Sequence, residues 1–256
     1  MLFARVLCAI DPGPESLMAA RQVARLSPPG TPLLLVSVTQ PFTAVPGGAG
    51  GIAVPVLETR RDAEEALERA KAAVARRQPV ETLLLEGAPI PTLLATVDRE
   101  GATLLAIGIH ERSRALGVAL GSVATAMLHD AAASVYVARP WRGAGRIAVG
   151  LDGSPESAAA LAAARELAAR TGDELRLVVA LGGKEVVLDA ARRTAGETRI
   201  VEDERDPVDA LANTDADLVI VGSRGLHGMR ALGSVGERVA HQARCPVLVV
   251  RDRQAG

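Results

Sequence analysis

The chain has 256 residues, 29 basic and 30 acidic side chains, a formal net charge of -1 and only 2% aromatic residues. That balance gives no broad positive field for a nucleic-acid backbone, and Phe3, Phe42, Tyr136 and Trp141 are too few to build a base-stacking platform. A hydrophobic fraction of 48% speaks against disorder, while no apolar run reaches the roughly 18–20 residues of a membrane span.

In chain order, strand-like apolar runs fall at 3–10, 32–38, 80–85, 103–108 and 134–138, then at 146–151, 174–180, 198–201, 217–222 and 246–250. Near-continuous apolar runs of this length predict parallel strands buried on both faces. Between them lie amphipathic helical patterns. The stretch 62–77 sets Ala66, Leu67, Ala70 and Val74 on one face and charge on the other. Helices are likewise predicted at 157–170 and 235–243, with Ser154-Pro155 as N-cap and first helical residue. Alternating strand and helix implies a doubly wound α/β fold, with ligands at the carboxyl ends of the strands. The opening MLFARVLCAI has no basic region and no small-residue cleavage site. The expectation is a cytoplasmic protein with no membrane partner, in which Cys8 and Cys245 are buried free thiols.

The chain repeats itself. Ala9 to Ser16 matches Gly150 to Ser157 at an offset of 141 residues, and Leu104 to Gly108 matches Leu218 to Gly222 at 114. Leu120 to Val123 matches Leu232 to Val235, and Ser134 to Val137 matches Pro246 to Val249, both at 112. Four blocks in one order indicate a duplication. The offsets place a longer insert in the first copy, mostly the Gly- and Pro-rich stretch 40–55, as a functional loop or a tolerated insertion. A turn-rich linker at 140–145 divides the chain into domains 1–141 and 145–253.

The chemically informative segment runs from Gly222 through Arg224, Gly225 and Gly233 to Ser234 and Val235, from a strand end to a helix start. Glycines let backbone N–H groups converge on a phosphate, and a helix N-terminus adds donors and a favourable dipole. The same residues also suit an ordinary strand-to-helix loop. No Walker lysine is present. The first strand of each half ends in Asp11 or Asp152, which suits an acceptor for an adenine amino or ribose hydroxyl group, or a cap for the following turn. His110, His129, His227 and His241 are scattered and make no metal cluster. Neither Ser223 nor Ser234 has an evident His/Asp partner set for nucleophilic catalysis. Glu202-Asp203-Glu204-Arg205-Asp206 is expected to be a solvated loop before a helix.

Taken together, D-G-S-P-E-S after the first strand, the late G-S-R-G, the G-S-V helix start and C-P-V-L-V-V resemble the universal stress protein family, over both halves. The resemblance implies two flavodoxin-like (Rossmann-type) domains, each a doubly wound five-stranded parallel sheet in the order 3-2-1-4-5. They would form an intramolecular pseudo-dimer or a homodimer through their fifth strands. It also implies an adenine-nucleotide pocket for ATP, ADP or AMP. Carried over by position, the second half offers Asp152 near the adenosine and Val179 and Ala180 beside the adenine. Gly222, Arg224, Gly225, Gly233, Ser234 and Val235 would surround the phosphates. Seven residues rather than the family's nine separate Gly225 from Gly233. The first half offers Asp11, Val36, Ser37, Gly108, His110, Gly121, Ser122 and Val123, but Glu111 stands where the family has a glycine. A carboxylate there repels phosphate unless a cation such as Mg²⁺ intervenes. The expected function is therefore a non-enzymatic adenine-nucleotide-binding regulator of stress response, binding chiefly in the second domain. The alternatives are a ligand-free interaction scaffold and a weak ATPase.

Overall fold

Apolar β-branched and leucine runs become strands and the alanine-rich stretches between them become helices. The computed structural model describes residues 2–40, 60–109, 120–141, 145–181, 186–196, 198–223 and 234–251. The first half comprises β1 (Val6–Ala9), α1 (Pro14–Leu26), β2 (Leu33–Thr39), α2 (Arg60–Val74), β3 (Val80–Glu86), α3 (Pro89–Arg99), β4 (Leu104–Ile107), α4 (Ser122–Asp130) and β5 (Ser134–Val137). The second comprises β6 (Arg146–Gly150), α5 (Pro155–Thr171), β7 (Glu174–Ala180), α6 (Val186–Ala195), β8 (Ile200–Asp203), α7 (Pro207–Ala212), β9 (Leu218–Ser223), α8 (Val235–Gln242) and β10 (Val247–Arg251). From position 41 onward, the Gly- and Pro-rich insert lies outside the described residues.

All ten strands join one sheet in the order β3-β2-β1-β4-β5-β10-β9-β6-β7-β8. The sequence suggested a five-stranded sheet for each half; the structure has a single continuous one. Pairing within each half is parallel. At the centre β5 meets β10 antiparallel, with Val137 opposite Val247 and Val135 opposite Val249. This pairing covers two strand edges whose backbone groups would otherwise be open to other chains.

Helices cover both faces, so successive strand residues enter different cores. Leu33 and Leu35 pack into one core, and Leu34 and Val36 into the other. The expected apolar face of α2 is buried through Ala63, Ala66, Leu67, Ala70 and Val74. Ser154 caps α5, its hydroxyl accepting from Ser157 N–H at 3.2 Å, and Pro155 follows. The corresponding Gly13 caps α1 through its backbone conformation alone. In the acidic stretch before α7, Glu202 and Asp203 extend β8 and Asp206 caps α7 by accepting from Val208 N–H at 2.9 Å. These residues therefore end a strand and start a helix, and are not loop throughout. Cys8 and Cys245 are buried and form no disulfide.

Candidate functional site

In a parallel sheet the carboxyl ends of the strands open where neighbouring crossovers leave in opposite directions. Each half has a cavity there. The first, about 280 Å³, is bordered by Asp11 after β1, Val36 and Val38 on β2, Gly108 after β4, and Gly121 to Val123 at the start of α4. The second, about 110 Å³, is bordered by Asp152 after β6, Val178 and Ala180 on β7, Gly222 on β9, and Val235 at the start of α8.

Both aspartates line their cavities and also shape the turns beneath them. Asp11 Oδ1 accepts from Gly13 N–H at 2.9 Å. Asp152 Oδ1 accepts from Ser154 N–H at 2.9 Å and from the Ser154 hydroxyl at 2.5 Å. Each side chain thus both caps a turn and borders a cavity.

Strand periodicity sorts the second-strand candidates. Val36 borders the first cavity, whereas Ser37 points to the opposite face, is buried, and its hydroxyl has no hydrogen-bond partner among the described residues. Ala180 borders the second cavity, whereas Val179 packs into the opposite core. Neighbouring residues of a strand cannot both send side chains to one face. The side chains at alternate positions, Val38 and Val178, therefore stand in the cavities instead. Sequence reasoning also missed Leu93 on α3 and Leu211 on α7, which wall the two cavities. Their helical pattern marks them only as core residues.

The glycines after the fourth strands have a packing role of their own. A Cβ on Gly108 would lie 2.5 Å from the backbone carbon of Glu15, and one on Gly222 would lie 2.3 Å from the backbone oxygen of Glu156. The first turns of α1 and α5 press directly on these strand ends.

The two helix starts differ. Gly121 caps α4 with no side-chain bond. Ser234 caps α8, its hydroxyl oxygen accepting from Glu237 N–H at 3.2 Å. The hydroxyl hydrogen of such a cap remains available to donate to an anion. A bound adenine nucleotide suits this chemistry: an apolar cavity wall meets a helix N-terminus with a capping hydroxyl. His110, Arg224, Gly225 and Gly233 lie outside the described residues, as do Glu111 and His227. No group of three His, Cys, Asp or Glu side chains among the described residues is arranged to hold a metal ion. No helix among them is long and apolar enough to cross a membrane.

Two of the scattered histidines meet at the seam between the halves. His129 Nε2 on α4 lies 2.8 Å from Glu237 Oε1 on α8, and His241 Nε2 lies 3.8 Å from the same oxygen. Desolvation lowers the pKa of His241; the facing Glu237 opposes that shift, while Arg139 and His129 reinforce it. Beside them, Arg139 donates to the carbonyls of Ala240 and Cys245, and Arg251 to those of Leu128 and His129. The two arginines stand 112 residues apart, as do the two histidines. Each half therefore sends an arginine to the C-terminal end of the other half's last helix.

Comparison with known proteins identifies the family. The universal stress protein family matches residues 2–139 and 180–251. A universal stress protein of Mycobacterium tuberculosis is 32% identical over 231 residues, covering 76% of this chain and 77% of the relative. A second from the same organism is 29% identical, covering 96% of each chain. The crystal structure of a universal stress protein from Archaeoglobus fulgidus superposes with a TM-score of 0.68 at 19% identity, covering 98% of each chain. At that identity the likeness concerns the fold.

Proposed function

The chain belongs to the universal stress protein family, and from that premise we propose that it is a cytoplasmic adenine-nucleotide-binding regulator of stress response that binds without turnover. The two runs of five strands act as flavodoxin-like domains, 1–141 and 145–253, forming a pseudo-dimer within one chain. One observation carries the reading. In both halves a first-strand aspartate, a pair of apolar second-strand side chains and a helix N-terminus border the same cavity. The aspartate would accept from the adenosine, the aliphatic walls would cover the base, and the helix start would meet the phosphates.

The second half is the chief phosphate site in this proposal. It keeps the loop glycines Gly225 and Gly233, Arg224, and the Ser234 cap, whereas the first half has Glu111. Val36, Gly108, Gly121, Ser122 and Val123 leave the first half a base-sized apolar cavity with poorer provision for phosphate. ATP, ADP or AMP would be the ligand, and Mg²⁺ would be held chiefly by the nucleotide's phosphates. The smaller second cavity, about 110 Å³ against about 280 Å³, favours a competing reading, a ligand-free scaffold acting through its surface.

Mass spectrometry of ligands released from the purified protein, followed by calorimetric titration with ATP and AMP, separates the two. Nucleotide release and ATP binding that is lost in Gly233→Glu are expected. A wild-type chain that binds no adenine nucleotide would overturn the nucleotide reading and leave the scaffold reading standing.

A further inference from the structure

The last helix of each half starts at a cavity and ends at the seam. Ser122, at the start of α4, borders the first cavity, and His129 occupies the last turn of the same helix. Across the seam, His129 Nε2 lies 2.8 Å from Glu237 Oε1, and only 11% and 12% of the two side chains are exposed. An ionised carboxylate only accepts hydrogen bonds, which places the shared hydrogen on Nε2. Glu237 in turn donates its backbone N–H to the Ser234 hydroxyl at the start of α8. One residue thus belongs both to the seam and to the helix start that borders the second cavity.

Charge makes this placement consequential. A carboxylate in the first turn of a helix interacts favourably with the helix dipole, but it opposes a second anion arriving at the same end. Among the described residues, Glu237 faces His129 from α4 and His241 from its own helix, and Arg139, after β5, acts on His241. Asp130, beside His129, acts on the buried Arg251 from the other side of the seam.

We propose that His129 is a positioning residue for the second cavity: it holds and offsets the Glu237 carboxylate, so that a first-half residue sets how strongly the α8 N-terminus attracts phosphate. This rests on the nucleotide reading above and adds a route by which one half regulates the other. Without the imidazole, a largely buried carboxylate loses a hydrogen-bond donor and stands less compensated beside the phosphate end.

Amide hydrogen exchange over 235–242 reports occupancy of the second cavity directly, with adenosine, AMP and ATP as probes. His129→Ala is expected to weaken ATP about tenfold, AMP less, and adenosine not at all, because the penalty follows ligand charge. Glu237→Gln removes the charge that His129 offsets. It should bind ATP at least as tightly as wild type, and adding it to His129→Ala should restore ATP binding. Equal loss for all three ligands, or unchanged ATP binding in His129→Ala, would overturn the proposal and leave the nucleotide reading standing. If His129→Ala fails to fold, Glu237→Gln alone decides: weakened ATP binding overturns the proposal. A wild type protected by none of the three ligands removes the nucleotide reading as well.

Discussion

Gly108 and Gly222 have no room for a methyl group, because the backbone of a neighbouring helix occupies it. Alanine at either position must push that backbone away, at a cost of about 1–3 kcal/mol or more. Urea unfolding should show this for Gly108→Ala without any ligand present, which separates the packing role of this glycine from any role toward phosphate. Cys8 offers a second test at this scale. Complete burial, reinforced by nearby Asp11, pushes its thiol far above the usual range. A thiol reagent should therefore modify Cys8 only on unfolding. Sequence reasoning found the aspartates and glycines because their positions repeat between the halves. The pairs Val36 with Ser37 and Val179 with Ala180 were carried over by position from the family resemblance, which names residues and not side-chain directions; the pleat turns the side chains of each pair to opposite faces.

At the scale of elements, the ends matter most. Ser234 caps α8, so Ser234→Ala should lose about 1 kcal/mol of stability in a thermal melt. Ser122→Ala should lose less, because Gly121 caps α4 without a side-chain bond. At the other end of α8, Arg139 feeds the carbonyls of Ala240 and Cys245. Arg139→Ala removes charge-assisted bonds in a buried setting and should cost about 2–3 kcal/mol, measured by denaturant unfolding. Strand positions were legible because buried parallel strands leave unbroken apolar runs, and all ten predicted runs coincide with strands to within a few residues. The arginine exchange was not legible. Its 112-residue spacing is present in the sequence, but spacing alone does not show which two surfaces face each other. The outer strands β3 and β8 carry Glu81, Glu86, Glu202 and Asp203, charges that discourage further strand addition.

Across the whole molecule, acid should act first at the seam. Burial lowers the pKa of His241 from its ordinary value of 6.5. The unfolded chain therefore takes up this proton at a higher pH than the folded one. The contribution of neutral His241 is complete above pH 6.5 and is lost as the pH falls below it. Melting temperatures recorded from about pH 7.5 down to about pH 5.5 should fall, and the decline should be shallower in His241→Gln. An equal slope in both proteins would place the acid sensitivity elsewhere. The duplication was readable from the sequence; pairing of the fifth strands was expected only from the family resemblance, which left open whether the partner strand lies in the same chain or in a second copy, because nothing in an apolar fifth strand names its outer neighbour. That continuity has an evolutionary consequence. When two identical subunits meet, every substitution appears on both sides of the contact and in both sites at once. Here β5 and β10 belong to one chain, and a substitution falls on one side only. Where the first half has Ser134, whose hydroxyl accepts from Arg251 N–H, the second half has Pro246 at the matching repeat position. One half can therefore change the lining of its cavity while the other keeps its own, and a single gene can carry two cavities that diverge independently.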